Sequence, residues 1–204
     1  EIASCLVGSE MCIRDSSNGN WNDAPQGPKH RLDSAPARQK EMAWMKTLGV
    51  KGIKVDFFGG DKQTTMKLYE DILTDANQYG IAVVFHGCTL PRGWERMYPN
   101  HMSSEAALVS ENLVFGQYHA DKEAQRSTLY PFIRNAVSAM DFGGVFFNKH
   151  FSKDGVSGTL RKTTDAFQIA TSVLYQSGIQ HFGITPNNLT EQPEFILDFM
   201  KKVP

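Results

Sequence analysis

The chain has 204 residues, 41% of them hydrophobic, and a formal net charge of −1. That is an ordinary globular composition, sufficient for a sizeable core, and it lacks the electrostatic footprint of a nucleic-acid-binding or membrane-surface protein. No apolar run approaches the roughly 18 residues that would span a bilayer, and the three cysteines, Cys5, Cys12 and Cys88, provide neither a disulfide framework nor a zinc site.

In chain order, residues 1–16 do not match the patterning of the other residues. They resemble translated adaptor sequence of the kind found at contig ends, and are set apart as an artefact. The alternative is a real leader strand over Ala3–Val7. No basic segment followed by a clean apolar segment marks a signal peptide. Because the chain starts without an initiator methionine, that says little about compartment. Ser17 to Pro36 is rich in Gly, Pro, Asn, Asp and Ser and reads as loop.

Ala37–Leu48 carries Met42, Met45 and Leu48 at helical spacing and is followed by Gly49, a glycine stop. The stretch from Lys51 to Asp61 holds a short apolar run bounded by glycines, which predicts a buried strand with Asp56 near its C-terminal end. Asp61 is a candidate N-cap for a helix with Met66, Tyr69, Ile72, Leu73 and Ala76 on one face, stopped by Gly80. Ile81–Phe85 is the next strand. A strand, a helix and a strand in about 35 residues imply parallel pairing.

The loop from His86 to Asn100 is long and chemically rich, which is uncommon without a function. Beyond it, the pattern predicts a short strand over Ala106–Val109, a helix over Pro131–Met140, a strand over Gly144–Phe147, a helix over Thr163–Tyr175, a strand over Ile179–Ile184 and a helix over Pro193–Met200. No glycine-rich phosphate signature follows any strand, which argues against a nucleotide-binding domain. The fold class is α/β. About five strands, against a complete (β/α)8 barrel of about 250 residues, suggest a partial TIM barrel: residues 17–204 as roughly its C-terminal five strands.

In parallel α/β folds chemistry collects at the C-terminal ends of strands, where Asp56 lies. Asp56 and a later glutamate could form the carboxylate pair of glycosidic bond cleavage. Equally, Asp56 could cap the next loop or pair with Lys54 or Arg92. Glu105 and Glu111, six apart, would share a face on an extended segment and lie on widely different faces of a helix. Two such acids repel unless a proton or a cation lies between them, and hard oxygen ligands suit Ca²⁺. The alternative is two solvated loop acids. His86 could hydrogen-bond a sugar hydroxyl or a nucleophile, and Arg92 could clamp a carboxylate. Phe57, Phe58, Trp94 and Tyr98 could stack on sugar faces or simply pack. Cys88 has no base partner placed by sequence.

The blocks Val50-Lys-Gly-Ile-Lys-Val-Asp-Phe-Phe58, Val84-Phe-His-Gly87, Arg96-Met-Tyr-Pro-Asn100, Ser104-Glu-Ala106 and Ser110-Glu111 resemble the catalytic domain of glycoside hydrolase family 97. So do Arg161-Lys-Thr-Thr-Asp-Ala-Phe167, Ile179-Gln-His-Phe182 and Thr185-Pro-Asn-Asn-Leu189. The resemblance covers residues 41–204. It implies a calcium-dependent α-glycosidase whose (β/α)8 barrel lies between two β-domains, neither of which this chain contains. Inverting members carry a base glutamate where this chain has Gly87. Retaining members carry an aspartate nucleophile where it has Asp56. The resemblance therefore implies a retaining enzyme of the α-galactosidase type, with an α-glucosidase or a non-catalytic sugar- or calcium-binding fragment as alternatives. Glu111 falls on the acid/base and Glu105 on a calcium ligand, with Glu111 also touching the Ca²⁺. His86, Arg92, Lys54 and Trp94 are the candidate substrate-binding residues. The expected substrate is an α-galactoside or oligosaccharide, and the expected location is periplasmic or secreted in a bacterium.

Overall fold

The computed structural model describes residues 32–58 and 60–203, together with the backbone of 11–13. It divides between Ala106 and Ala107 into two units. The fold is mixed α/β. Among the described residues its strands form three small sheets rather than one continuous barrel wall.

The first unit is a βα repeat. Strand β1 (Met11–Ile13) pairs in parallel with β2 (Gly52–Val55), so three residues of the segment set apart as an artefact lie in the sheet. The alternative leader strand over Ala3–Val7 lies outside the described residues. Helix α1 (Ala35–Thr47) opens with Pro36 in its first turn and ends before Gly49, whose φ of +77° is the left-handed conformation that glycine adopts without strain. Strand β2 follows, then helix α2 (Gln63–Tyr79), stopped by Gly80 at φ +69°. The N-cap of α2 is Lys62 rather than Asp61, and no side chain caps it. Strand β3 (Ala82–Phe85) pairs in parallel with β2, and β4 (His101–Ser104) with β3, giving the order β1-β2-β3-β4.

All four residues of β2 are buried. Ile53 and Val55 point into one core with Leu68, Tyr69, Ile72 and Leu73 of α2 and with Val83 and Phe85 of β3. Each such side chain contributes about 1.5–3 kcal/mol when fully removed from water. Alternation along the strand turns Lys54 to the opposite face, and it too is buried. Between α1 and α2, buried Arg38 donates from Nε to Asp75 Oδ2 at 2.7 Å.

The second unit begins with a 3-10 helix (Ser110–Phe115) and helix α3 (Gln117–Ile133). Strand β5 (Gly144–Val145) is followed by the antiparallel hairpin β6 (His150–Phe151) and β7 (Thr159–Leu160), and then by α4 (Asp165–Leu174). Strand β8 (His181–Phe182) pairs in parallel with β5, and the short α5 (Asn188–Glu191) and α6 (Glu194–Met200) close the chain. One core gathers Val109, Tyr130, Met140, Phe142 and Tyr175, and a second gathers Val145, Phe147 and Ile196.

Two expectations are corrected. The strand expected over Ala106–Val109 is displaced to β4, four residues that pair with β3. The helix expected over Pro131–Met140 is instead α3, with Pro131 inside its last turn rather than at its start. The carbonyl left without its helical donor by Pro131, that of Ser127, accepts the Tyr175 hydroxyl at 2.7 Å.

Candidate active site

The C-terminal ends of β2, β3 and β4 bring together Asp56, His86, Gly87 and Glu105. Asp56 leaves β2 half-buried, and its Oδ1 accepts the Phe57 N–H at 2.6 Å. Phe57 sits at φ +66°, a conformation a bulky residue rarely adopts, and so turns the chain sharply after the carboxylate. Phe58 then re-enters the core. Its N–H donates to the Gly87 carbonyl at 3.0 Å, and its ring stacks on Tyr69 at 4.0 Å between centroids. The chain is thus pinned just past Asp56.

Gly87 adopts φ +50°, and a β-carbon placed there would collide with Asp56 Oδ1 and lie 3.1 Å from the Phe57 nitrogen. The Asp56 carboxylate therefore fills the space that a side chain at position 87 would need. A side chain on residue 87 would require the Asp56 carboxylate or the Phe57 backbone to move.

Glu105 is buried, and its Oε2 accepts the Gly87 N–H at 2.7 Å. Its Oε1 lies 3.5 Å from Nε2 of buried His86. A buried carboxylate is a hard oxygen donor of the kind that suits a hard cation. Within this unit Glu105 is the carboxylate that could serve as such a ligand, with His86 beside it.

Lys54 is buried on the sheet face opposite Ile53 and Val55. Trp94 is only 7% exposed and packs with Tyr69 and Phe85 at 5.0 and 6.2 Å, within the core rather than on an open surface. Arg92 is largely exposed. Its Nη2 donates to Thr89 Oγ1 at 3.3 Å and lies 3.8 Å from Asp61 Oδ2. Burial pushes the Tyr69 hydroxyl well above its usual pKa, so it stays protonated, and it accepts the Thr89 N–H at 2.9 Å.

Glu111 belongs to the second unit, half-buried in the first turn of the 3-10 helix. Two features shape the backbone around it. Ser110 Oγ donates to the Phe142 carbonyl at 3.0 Å, and Gly143, at φ +85°, lets the chain before β5 come close to the Glu111 amide. A β-carbon at Gly143 would stand 2.8 Å from Ser110 Oγ and 3.3 Å from that amide. Sequence reasoning named Ser110 only within the Ser110-Glu111 motif, with no role of its own, and missed Gly143, although the positive-φ requirement explains why position 143 is glycine.

A family model for glycoside hydrolase 97 matches residues 26–107. A "probable retaining alpha-galactosidase" of Streptomyces bingchenggensis is 33% identical over 86% of this chain. A "retaining alpha-galactosidase" of Bacteroides thetaiotaomicron is 28% identical over 72% of it. The crystal structure of a beta-arabinopyranosidase matches 95% of this chain at 58% identity, with a TM-score of 0.88. The chain spans 25% and 22% of the two relatives and 31% of the solved chain.

Proposed function

Because the chain belongs to glycoside hydrolase family 97, we propose that the whole protein is a retaining glycosidase with Asp56 as its nucleophile. The observation that carries this reading is the Asp56 carboxylate seated in the space above Gly87. That seat leaves no base on residue 87 to activate a water, as an inverting enzyme of α-glucosidase type requires. Asp56 attacks the anomeric carbon, and Glu111 protonates the leaving oxygen. Glu111 then takes a proton from the water that releases the sugar. His86 and Lys54 hold sugar hydroxyls.

Calcium is part of the proposal. Glu105, with Glu111, would hold Ca²⁺, which when bound would polarise substrate hydroxyls. The βα repeats belong, on this reading, to a (β/α)8 barrel completed by the rest of the protein. The location is periplasmic or secreted in a bacterium, and among the described residues no helix is long and apolar enough to cross a membrane.

The substrate is a terminal α-galactoside of an oligosaccharide. A second reading is supported by the 58% identity to the beta-arabinopyranosidase. A β-L-arabinopyranoside has the ring stereochemistry of an α-D-galactopyranoside and lacks only the exocyclic CH₂OH, so one catalytic arrangement serves both. The test is whole-length protein assayed on aryl α-galactopyranoside and aryl β-L-arabinopyranoside, with the first-released anomer followed by NMR. Retention on at least one substrate, lost with Asp56→Asn, supports the proposal. Release of the inverted anomer sinks it, and the ratio of kcat/KM decides between the two sugars.

A further inference from the structure

We infer that the second unit carries a binding subsite for a neutral, hydroxyl-rich ligand, a non-reacting sugar ring of an oligosaccharide. Only the identity of the ligand rests on the glycosidase reading. The subsite is a cavity of about 730 Å³ lined in part by Asn148, His150, Thr185, Asn187, Glu191 and Gln192. Asn148 follows β5 and Thr185 follows β8, so the cavity lies beyond the C-terminal ends of two parallel strands, where open α/β sheets collect ligands.

Its volume is that of a ligand pocket, about 300–1,000 Å³, but such pockets are lined mainly by apolar and aromatic side chains. This one is lined by amides, hydroxyls and charges of both signs. Lys149 and Lys153 face Asp154, Asp165 and Glu191 around the same cavity. All three acids are already engaged: Asp154 accepts from Ser152, Val156 and Ser157, Asp165 from Arg161, and Glu191 from Asn187. Neither sign dominates, which disfavours a phosphate or a metal ion and suits a neutral polyol.

The polar wall is held in place before any ligand arrives. Asn148 Nδ2 donates to Thr185 Oγ1 at 2.9 Å, and Asn148 Oδ1 accepts from Asn187 Nδ2 at 3.0 Å and Asn188 Nδ2 at 2.9 Å. Asn187 Nδ2 also donates to Glu191 Oε2 at 2.9 Å. Such preorganisation lowers the entropic cost of binding.

The test uses whole-length protein carrying Asp56→Asn, titrated with raffinose by calorimetry, alone and with Asn187→Ala or Lys153→Trp added. Asn187 is exposed, and Lys153→Trp places a bulky ring at an exposed rim position, so neither change removes a core side chain. Raffinose affinity is expected to fall about threefold to tenfold with Asn187→Ala, the loss of one or two neutral hydrogen bonds, and at least as far with Lys153→Trp. Unchanged affinity in both variants, no raffinose binding at all, or a structure of the whole protein with its own chain filling the cavity overturns the inference. Hydrolysis by the unmodified protein is measured in parallel. If no glycoside is cleaved yet the variants weaken raffinose binding, the subsite stands and the proposed function falls. If cleavage occurs and the variants bind raffinose normally, the reverse holds.

Discussion

The Asp56 carboxylate and Gly87 share one volume: a β-carbon on residue 87 would collide with Asp56 Oδ1. Two positions from neighbouring strands, each suited to an acid, thus exclude one another. Gly87→Ala tests this with the smallest possible side chain. The new methyl must displace the Asp56 carboxylate or the Phe57 backbone, and alanine at φ +50° adds roughly 1–2 kcal/mol of backbone strain. A displacement of about 1 Å at a reacting atom costs on the order of 10²-fold. The expected outcome is a fall of that order in kcat/KM in a protein that still folds, read by steady-state kinetics and thermal unfolding together. Undiminished kcat/KM would show that Asp56 has another place to go.

Glu105 supports a separate expectation. Its Oε2 accepts the Gly87 N–H, and its Oε1 faces His86. Glu105→Gln preserves the shape and one acceptor but removes the charge. On the calcium proposal, affinity for Ca²⁺ in the whole protein falls about tenfold or more, since affinity at such sites follows ligand charge. Chelation reduces turnover, and added Ca²⁺ restores it. Calcium titration by calorimetry reads the first effect, and equal affinity in variant and parent removes Glu105 from the ligand set.

How legible these features were depends on where the signal lay. Strands β2 and β3 and helix α2 were readable because Ile53, Val55, Val83 and Phe85, and the stripe through Tyr69, Ile72 and Ala76, carry their own periodicity. The glycine stops at Gly49 and Gly80 were readable for the same local reason. Strand β4 was not, because His101-Met-Ser-Ser104 has no apolar alternation, and its pairing to β3 is a tertiary fact. Helix α3 was hidden because its apolar residues form no clear stripe and Pro131 reads locally as a helix start. At the site, Asp56, Glu105 and Glu111 came from motifs. The mutual exclusion of Asp56 and Gly87 could not be read, because spacing along one chain does not state which side chains compete for space across two strands.

The accommodation of Pro131 is testable. Proline contributes no N–H to the Ser127 carbonyl, and Tyr175 supplies the missing donor at 2.7 Å from a buried site. Burial raises the Tyr175 pKa, which keeps the hydroxyl protonated as a donor across the working range. Tyr175→Phe retains the ring stacked on Phe142 at 4.3 Å and deletes only the hydroxyl. The buried carbonyl is then without that donor, at a cost of about 1–3 kcal/mol. Denaturant unfolding should show this loss, and the double variant Tyr175→Phe with Pro131→Ala should recover part of it, because residue 131 regains an N–H. Equal loss in the single and double variants would mean that Ser127 O is not the group at issue.

His101 gives the pH dependence. Its ring is buried beside Phe85 and Trp94, with Nε2 at 3.0 Å from Ser104 Oγ and Nδ1 at 3.7 Å from Glu95 Oε2. Burial lowers its pKa, opposed in part by Glu95 and by a backbone hydrogen bond at Ser103. An unfolded histidine titrates near pH 6.5. Between that value and its lower folded pKa, the unfolded chain binds more protons at this site than the folded one, so stability rises with pH across the window and falls on acidification. The slope from one such site is at most about 1.4 kcal/mol per pH unit. In His101→Gln, the stability curve measured by urea unfolding should be flatter just below pH 6.5. Its difference from the parent should vanish as a function of pH above about 7.5, where both states of the histidine are neutral. An NMR midpoint for His101 above pH 6.5 in the folded protein would reverse the sign, and would show that Glu95 outweighs burial.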